Sequence, residues 1–431
     1  MAGKNMNELT QLIKNDMKPA LGVTEPGAIA FAVSTAKKYV QGEVTHILLN
    51  LNSGMYKNAY TCGIPNSHFS GNLYAAALGA VAGNPNKGLE ALADVTQQDN
   101  QKASELVDAG VVEAKISEIS SRIYIEATVT TSKESATVVI RDSHTNIVSI
   151  TVNGQIVYRN KKDECKTDGM ENEPIATIHK YTLHDIYDYI QNVDYSEISF
   201  ILDAHEMNME LFNEGLCSDR TTFLKYLKKE NGDMILSKNE NRTASLLCNG
   251  AIEARVLGLD KPAMSITGSG AHGIIATLPL YAVVEINNMS QEALCRATAL
   301  SYLICMYIKE YSGKLSAFCG CGIAAGTGMA CGLVYLYGGG IDAMIRCINN
   351  MASGITGMIC DGGNHGCAMK GVVAVDAAFR SAHLACSGVS ISSKHGINGM
   401  TPEDTMKNMG LIASPGMTAT EKTIVEIMQN K

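Results

Sequence analysis

The sequence predicts an α+β fold, with an N-terminal α/β region containing an antiparallel sheet packed on an all-helical C-terminal domain. Three observations predict it. Alternating β-branched runs are confined to residues 111–160. From His184 to Lys229, and from Gln291 to the end, apolar residues recur at spacings of three and four, and strand signals are scarce. Between these textures, Lys161–Pro174 is charged and without apolar periodicity, so it is the candidate linker dividing the chain into 1–174 and 175–431. At 431 residues, 46% hydrophobic and 18% charged, the chain can bury one large or two ordinary cores and is too apolar for disorder.

In chain order, Asn5 to Val40 reads as two helices broken at Lys18–Gly22 by Pro19 and Gly22. The second restarts at Thr24-Glu25-Pro26, the residue types that open a helix. Thr45–Leu51 reads as a strand and the small-residue segment Leu73–Ala82 as a buried helix. The runs between Val111 and Asn160 read as antiparallel strands. The last two are joined by Asn153-Gly154, a pair that tolerates positive φ at both centres of a tight hairpin. No internal repeat of fixed period is visible.

A formal charge of −8 without a basic stripe argues against a nucleic-acid partner. Leu315 to Ile341 is uncharged and long enough to cross a bilayer, but eight of its residues are glycine. That suits a buried helix with a glycine-rich entrance, so no membrane partner is expected. Thirteen cysteines, an odd number, in a chain opening MAGKNMNEL point to a reducing, cytoplasmic setting. Nine of them lie between Cys295 and Cys386.

Thr267-Gly268-Ser269-Gly270-Ala271-His272-Gly273 satisfies G-x-G-x-x-G, but Pro279 interrupts the next segment and Glu285 comes too early for the ribose-binding acid, so a dinucleotide site is rejected. Its consecutive N–H groups could still bind an anion such as a carboxylate. More informative is Cys360-Asp361-Gly362-Gly363-Asn364-His365-Gly366-Cys367. As a helix it would hold its two sulfurs about 10 Å apart. As a glycine-rich loop it can fold back so that both thiolates meet a common centre, with Cys319 or Cys321 supplying a third donor. An iron–sulfur cluster on three cysteines would leave one iron open as a Lewis acid. Ordinary buried thiols are the plainer alternative, and Cys62, Cys248 and Cys331 are read as such.

Taken together, Pro19-Ala20-Leu21-Gly22-Val23-Thr24-Glu25-Pro26, Lys57-Asn58, His144-Thr145-Asn146, Gly268-Ser269-Gly270, Leu315-Ser316-Ala317-Phe318-Cys319 and Gly357-Met358-Ile359-Cys360-Asp361-Gly362 resemble the L-cysteine desulfidase family, a relative of the alpha chain of iron–sulfur L-serine dehydratases. The resemblance runs nearly end to end. It implies a [4Fe-4S] cluster held by Cys319, Cys360 and Cys367, with Cys321 a neighbour. It also implies β-elimination from a small amino acid, giving pyruvate, ammonia, and sulfide or water. On the same grounds Thr24 and Glu25 would line the catalytic cleft, and Lys57, Asn58, Asn146, Ser269 and Gly270 would bind substrate, Lys57 through its carboxylate. A homo-oligomer is compatible with this picture.

The chain departs from the pattern at two places. Val23 stands where desulfidases usually carry the cysteine proposed as the base, and Ala271-His272 stand where they commonly carry Asn-Gln. His272 and His365 are therefore the candidate replacement bases. Each has a plainer role available: His272 as a structural histidine, His365 as a donor tuning a sulfur, Glu25 as a helix-start charge, and Asp361 as a loop-ordering residue. Other readings are a paralogue acting on another hydroxy or thiol amino acid, a non-catalytic iron–sulfur or redox sensor, and a protein without metal.

Overall fold

The computed structural model describes residues 7–160, 175–313 and 315–431, so the candidate linker Lys161–Pro174 lies outside the described residues. Eight strands form among them: β1 (Lys18–Leu21), β2 (Val44–Asn52), β3 (Val112–Glu118), β4 (Tyr124–Thr131), β5 (Ser135–Arg141), β6 (Ile147–Val152), β7 (Gln155–Arg159) and β8 (Pro262–Ser265). Six make one sheet in the order β3-β2-β4-β5-β6-β7. Along β4 and β5 buried residues alternate with half-exposed ones, Ile125, Ala127 and Val129 opposite Val138 and Ile140, because a strand turns successive side chains to opposite faces. The helix Thr24–Lys37 packs on that apolar face.

The mixed α+β class is as the sequence predicts, with the sheet N-terminal and helices dominating the rest. Asn153 and Gly154 both take positive φ at the β6–β7 hairpin. One edge of the sheet departs from the expected antiparallel order, since β3 runs parallel to β2. The reason is the path between them: three helices, Ser53–Ala59, Asn72–Val81 and Gln97–Asp108, carry the chain back before it re-enters the sheet.

The break at Lys18–Gly22 is itself a strand. β1 pairs antiparallel with β8, and Ser265 Oγ donates to Lys18 O at 2.7 Å. This contact holds the start of helix Thr24–Lys37 against the glycine-rich turn 266–270. The strand before that turn and the helix Gly270–Asn287 after it, which runs through Pro279, are both present. The dinucleotide reading still fails, because β8 belongs to a two-stranded antiparallel pair and not to a parallel crossover sheet.

Helices Gly270–Asn287 and Gln291–Ser312 are buried nearly all round and form the centre of the C-terminal region, with Glu240–Val256, Gly326–Leu336 and Gly366–Cys386 packed around them. No helix among the described residues is long and apolar enough to cross a membrane. The last helix, Thr418–Gln429, returns to the N-terminal region and docks on Ser53–Ala59. At that junction Lys57 Nζ meets Glu421 Oε2 at 2.7 Å, with both side chains out of water.

Removing one partner of such a pair strands the other charge. Lys57→Met should therefore lower unfolding free energy by about 3–5 kcal/mol, and adding Glu421→Leu should recover most of it. Urea midpoints of the two variants check this, and equal losses would mean the pairing contributes nothing.

Candidate active site

Two segments bring the thiols together. An isolated antiparallel bridge joins Phe318 to Ile359, Cys319 N donates to Met358 O at 3.0 Å, and Cys360 N donates to Ala317 O at 2.6 Å. In this register Cys319 and Cys360 are diagonal neighbours on one face, a spacing of roughly 7–8 Å between backbones. Cys367 joins them because the loop turns back. Gly366 N donates to Asn364 Oδ1 at 2.7 Å, Cys367 N to Asn364 O at 2.9 Å, and Cys367 Sγ lies 3.5 Å from Gly362 O. Gly362 has φ +106°, and a Cβ there would meet Lys57 O at 2.4 Å, so this turn admits only glycine.

The thiols of Cys319, Cys321, Cys360 and Cys367 are close enough to influence one another's ionisation. Cys321 donates towards Cys319 and lowers it to about 7, while its own thiol is pushed well up by the same contact. Burial pushes Cys360 up and Cys367 up to about 11. Lys370, paired with Asp361, and Lys309, whose burial lowers it, set positive charge beside them. Among the described residues no three metal-binding side chains converge tightly enough for a single ion. A lone zinc would need sulfurs within about 4 Å of one another, since each Zn–S bond is about 2.3 Å.

Asn58 connects this group to the first helix. Its Nδ2 donates to Glu25 Oε1 at 2.9 Å, and its Oδ1 faces Cys360 Sγ at 3.9 Å. Burial alone would raise Glu25. His144, 3.8 Å away, and Asn58 instead hold its carboxyl down to about 2. Thr24, which could cap this helix, does not. Its Oγ1 is buried without a partner.

His272 is the candidate base that lies against the Cys319–Cys321 segment. It is buried, and a Cβ on Gly320, between Cys319 and Cys321, would lie 2.6 Å from its Nε2. Thr267 Oγ1 gives its proton to Ile266 O at 2.7 Å, so at 2.5 Å it accepts from His272 Nδ1. This assigns the proton to Nδ1 and the lone pair to Nε2. Burial, with Lys309 and Arg255 nearby, pushes its pKa well down, so the ring is neutral.

A family model described as the serine dehydratase alpha chain matches residues 86–426. The chain belongs to the serine dehydratase alpha chain family. It is 42% identical over 428 residues to a UPF0597 protein of Clostridium botulinum (strain Okra / Type B1), covering 98% of each chain. It is 37% identical to one of Caldanaerobacter subterraneus subsp. tengcongensis, covering 99% of each, and 36% to one of Clostridium tetani, covering 98% of each. The part matching the serine dehydratase family model contains the four thiols and His272. Thr24, Glu25, Lys57 and Asn58 precede it and are covered by the UPF0597 relatives.

The other sequence candidates of this family member have partners of their own. His365, 46% exposed at its side chain, lies 3.7 Å from Glu253 and edge-on to Phe223, so its partners are not the thiols. Lys57 does not present a free ammonium. Its three protons go to Ser316 O at 3.1 Å, Cys360 O at 2.9 Å and Glu421, which leaves none for a substrate. Asn146 holds its own turn, donating to Arg141 O at 3.1 Å and accepting from Asn160 at 3.2 Å, and lines a surface groove with Phe31 and Tyr39. His144 of the same motif faces Glu25. Ser269 and Gly270 open the helix that carries His272, and Cys62, Cys248 and Cys331 are buried as read.

Sequence reading quoted His144 without a role and missed Lys309 and Arg255. The signal was available for the last two: each is a cation within a helix face otherwise made of apolar and small residues, where a charge is rare.

Glu25 also makes acid stability measurable. Its pKa is depressed in the fold, so its contribution is present above the ordinary carboxylate value near 4.5 and is lost as pH falls towards about 2. Its full size is on the order of 3 kcal/mol. Glu25→Gln should flatten the fall of the urea midpoint below pH 4.5; a slope equal to the parent's would remove Glu25 from that window.

Proposed function

We propose that this serine dehydratase family member is a cytoplasmic [4Fe-4S]-dependent lyase that eliminates hydrogen sulfide from L-cysteine. The enamine product tautomerises and hydrolyses to pyruvate and ammonia. The observation that carries this reading is the neutral Nε2 of His272 beside the Cys319 and Cys321 segment, a proton acceptor next to a thiol cluster.

Cys319, Cys360 and Cys367 would hold the cluster. Their fit is supported by the bridge that sets Cys319 and Cys360 on one face, a turn closed by Gly362 that brings Cys367 back, and cations at Lys309 and Lys370 that favour thiolates over thiols. Bound there, a cluster with one iron free of cysteine supplies a Lewis acid for the departing sulfur or oxygen.

The chain's own residues supply the rest. His272 Nε2 accepts the α-proton, and Thr267 fixes the ring by accepting from Nδ1. Glu25 stays ionised at cellular pH and accepts from the substrate's ammonium, with Asn58 and His144 keeping its carboxylate in place. Burial keeps water from the carbanionic carbon until the leaving group has gone. The second reading replaces sulfide by water from L-serine, and the description of the matching family favours it. Sulfide, ammonia and pyruvate measured side by side from the two amino acids decide between them.

Two sets of variants test the site. After anaerobic reconstitution with iron and sulfide, Cys319→Ser, Cys360→Ser and Cys367→Ser should each bind less iron than the parent, while Cys321→Ser binds as much. Equal loss in Cys321→Ser would redraw the ligand set. His272→Gln should keep its iron and its KM while kcat falls by roughly 10²–10⁴. An unchanged kcat would move the base elsewhere.

A further inference from the structure

Arg255 is a buried cation whose charge the protein leaves without a hydrogen-bonded counterpart. It lies in the last turn of helix Glu240–Val256 and is 5% exposed, with Nε buried and without a partner. Among the described residues its side chain enters no hydrogen bond and no ion pair. Burying a guanidinium in this way is costly unless something pairs with it.

Its surroundings add to the cost. A Cβ on Gly270 would lie 2.7 Å from Arg255 Nε, so the guanidinium lies against the first turn of the 18-residue helix Gly270–Asn287. Ser269 does not cap that helix with its side chain, and the unpaired N–H groups of the first turn make this its positive end. Two positive features therefore meet in one dry place. Glu25 is near enough to feel Arg255, but its Oε1 is taken by Asn58 at 2.9 Å, with His144 at 3.8 Å. His272 is on the same side, also within reach of Arg255, and is neutral.

What satisfies a planar guanidinium fork and a helix N-terminus together is a small anion with two oxygens. We propose that Arg255, with the first-turn N–H groups at Gly270, is the receptor for the substrate's α-carboxylate. This rests on the lyase reading for the identity of the site and gives Arg255 the role that the sequence suggested for Lys57. It confines the substrate to free amino acids. A carboxylate held by Arg255 and an ammonium held by Glu25 fix two of the four groups on the α-carbon, which leaves the α-proton to His272 and Cβ to the thiols. Cysteamine and cysteine amides carry the same leaving group and are excluded.

The test uses a ligand that cannot eliminate. Calorimetric titration of the anaerobically reconstituted protein with L-alanine and with L-alaninamide should show that the parent binds the acid in preference to the amide. Arg255→Gln should weaken L-alanine by roughly 100-fold, leave L-alaninamide as it was, and keep or raise the unfolding midpoint. If Arg255→Gln does not fold, Arg255→Lys decides: a point charge without the fork should raise KM roughly tenfold at unchanged kcat.

Equal binding of L-alanine by parent and Arg255→Gln overturns the proposal. So does a parent that does not tell acid from amide, an Arg255→Lys variant with the parent's KM, or a variant that loses acid and amide alike together with stability. The lyase reading fails separately. A parent that holds L-alanine through Arg255 but forms no pyruvate from L-cysteine or L-serine keeps the receptor and loses the lyase. Pyruvate formation with the parent's KM in Arg255→Gln does the reverse.

Discussion

The buried ammonium of Lys57 ties the molecule together at the point where the chemistry sits. Its three protons reach the backbone at Ser316 and Cys360 and the carboxylate of Glu421. One side chain thus joins the Cys319 strand, the Cys360 loop and the last helix, segments more than 250 positions away in sequence. An ammonium in a dry interior holds its place only if every proton has an acceptor, which makes the geometry of the Cys360 loop a condition for burying it. Cys360 O cannot leave Lys57 without exposing a charge to an apolar core. The neighbour Asn58 adds the second tie, because Gly363 N donates to Asn58 O at 3.1 Å while its side chain spans Glu25 and Cys360.

The same economy of position explains the electrostatics. Four neighbouring thiols would repel one another as thiolates, and the bond to Cys319 in Cys321 and burial in Cys360 and Cys367 keep these three protonated. Lys309 and Lys370 lie beside them and shift the balance towards ionisation. Glu25 is ionised and His272 neutral, so the residues near the thiols include two acceptors as well as cations.

How much of this was legible depends on the range of the interactions involved. The sheet strands, the hairpin at Asn153-Gly154 and the helix at residues 72–81 are local, written in alternation, turn chemistry and small-residue runs, and were readable. The parallel edge at β3 was not, since strand direction depends on the three helices between β2 and β3 and not on either strand's residues. β1 and β8 were missed because four residues containing a proline carry little strand signal alone; each is a strand only because the other is there. At the site, the cysteine-bearing segments and Glu25 were visible as residue types in a recognisable order. The role of Lys57 was not, because a lysine's partners are set by where distant backbone carbonyls fall. Arg255 was legible only as a charge among apolar and small residues of its helix; that its side chain lacks a partner depends on distant residues, which no sequence can display.

Position 23 shows how a substitution in such a site can leave its framework intact. Gly363 is so close that a Cβ on it would lie 3.1 Å from Val23 Cγ1 and 3.3 Å from Cys62 Cβ, so the valine is in contact with the ligand loop. The valine fills volume that supports the loop and offers no proton acceptor. His272 approaches from the other ligand segment, at Gly320, on a helix whose start is fixed by β8 and by β1 across from it. Its ring orientation does not depend on Val23, on Cys62 or on any group of the Cys360 loop, because Thr267 and Ile266 set it from the turn itself. Support of the loop and presentation of the acceptor are therefore carried by separate parts of the fold, and losing a titratable group from one does not disturb the other.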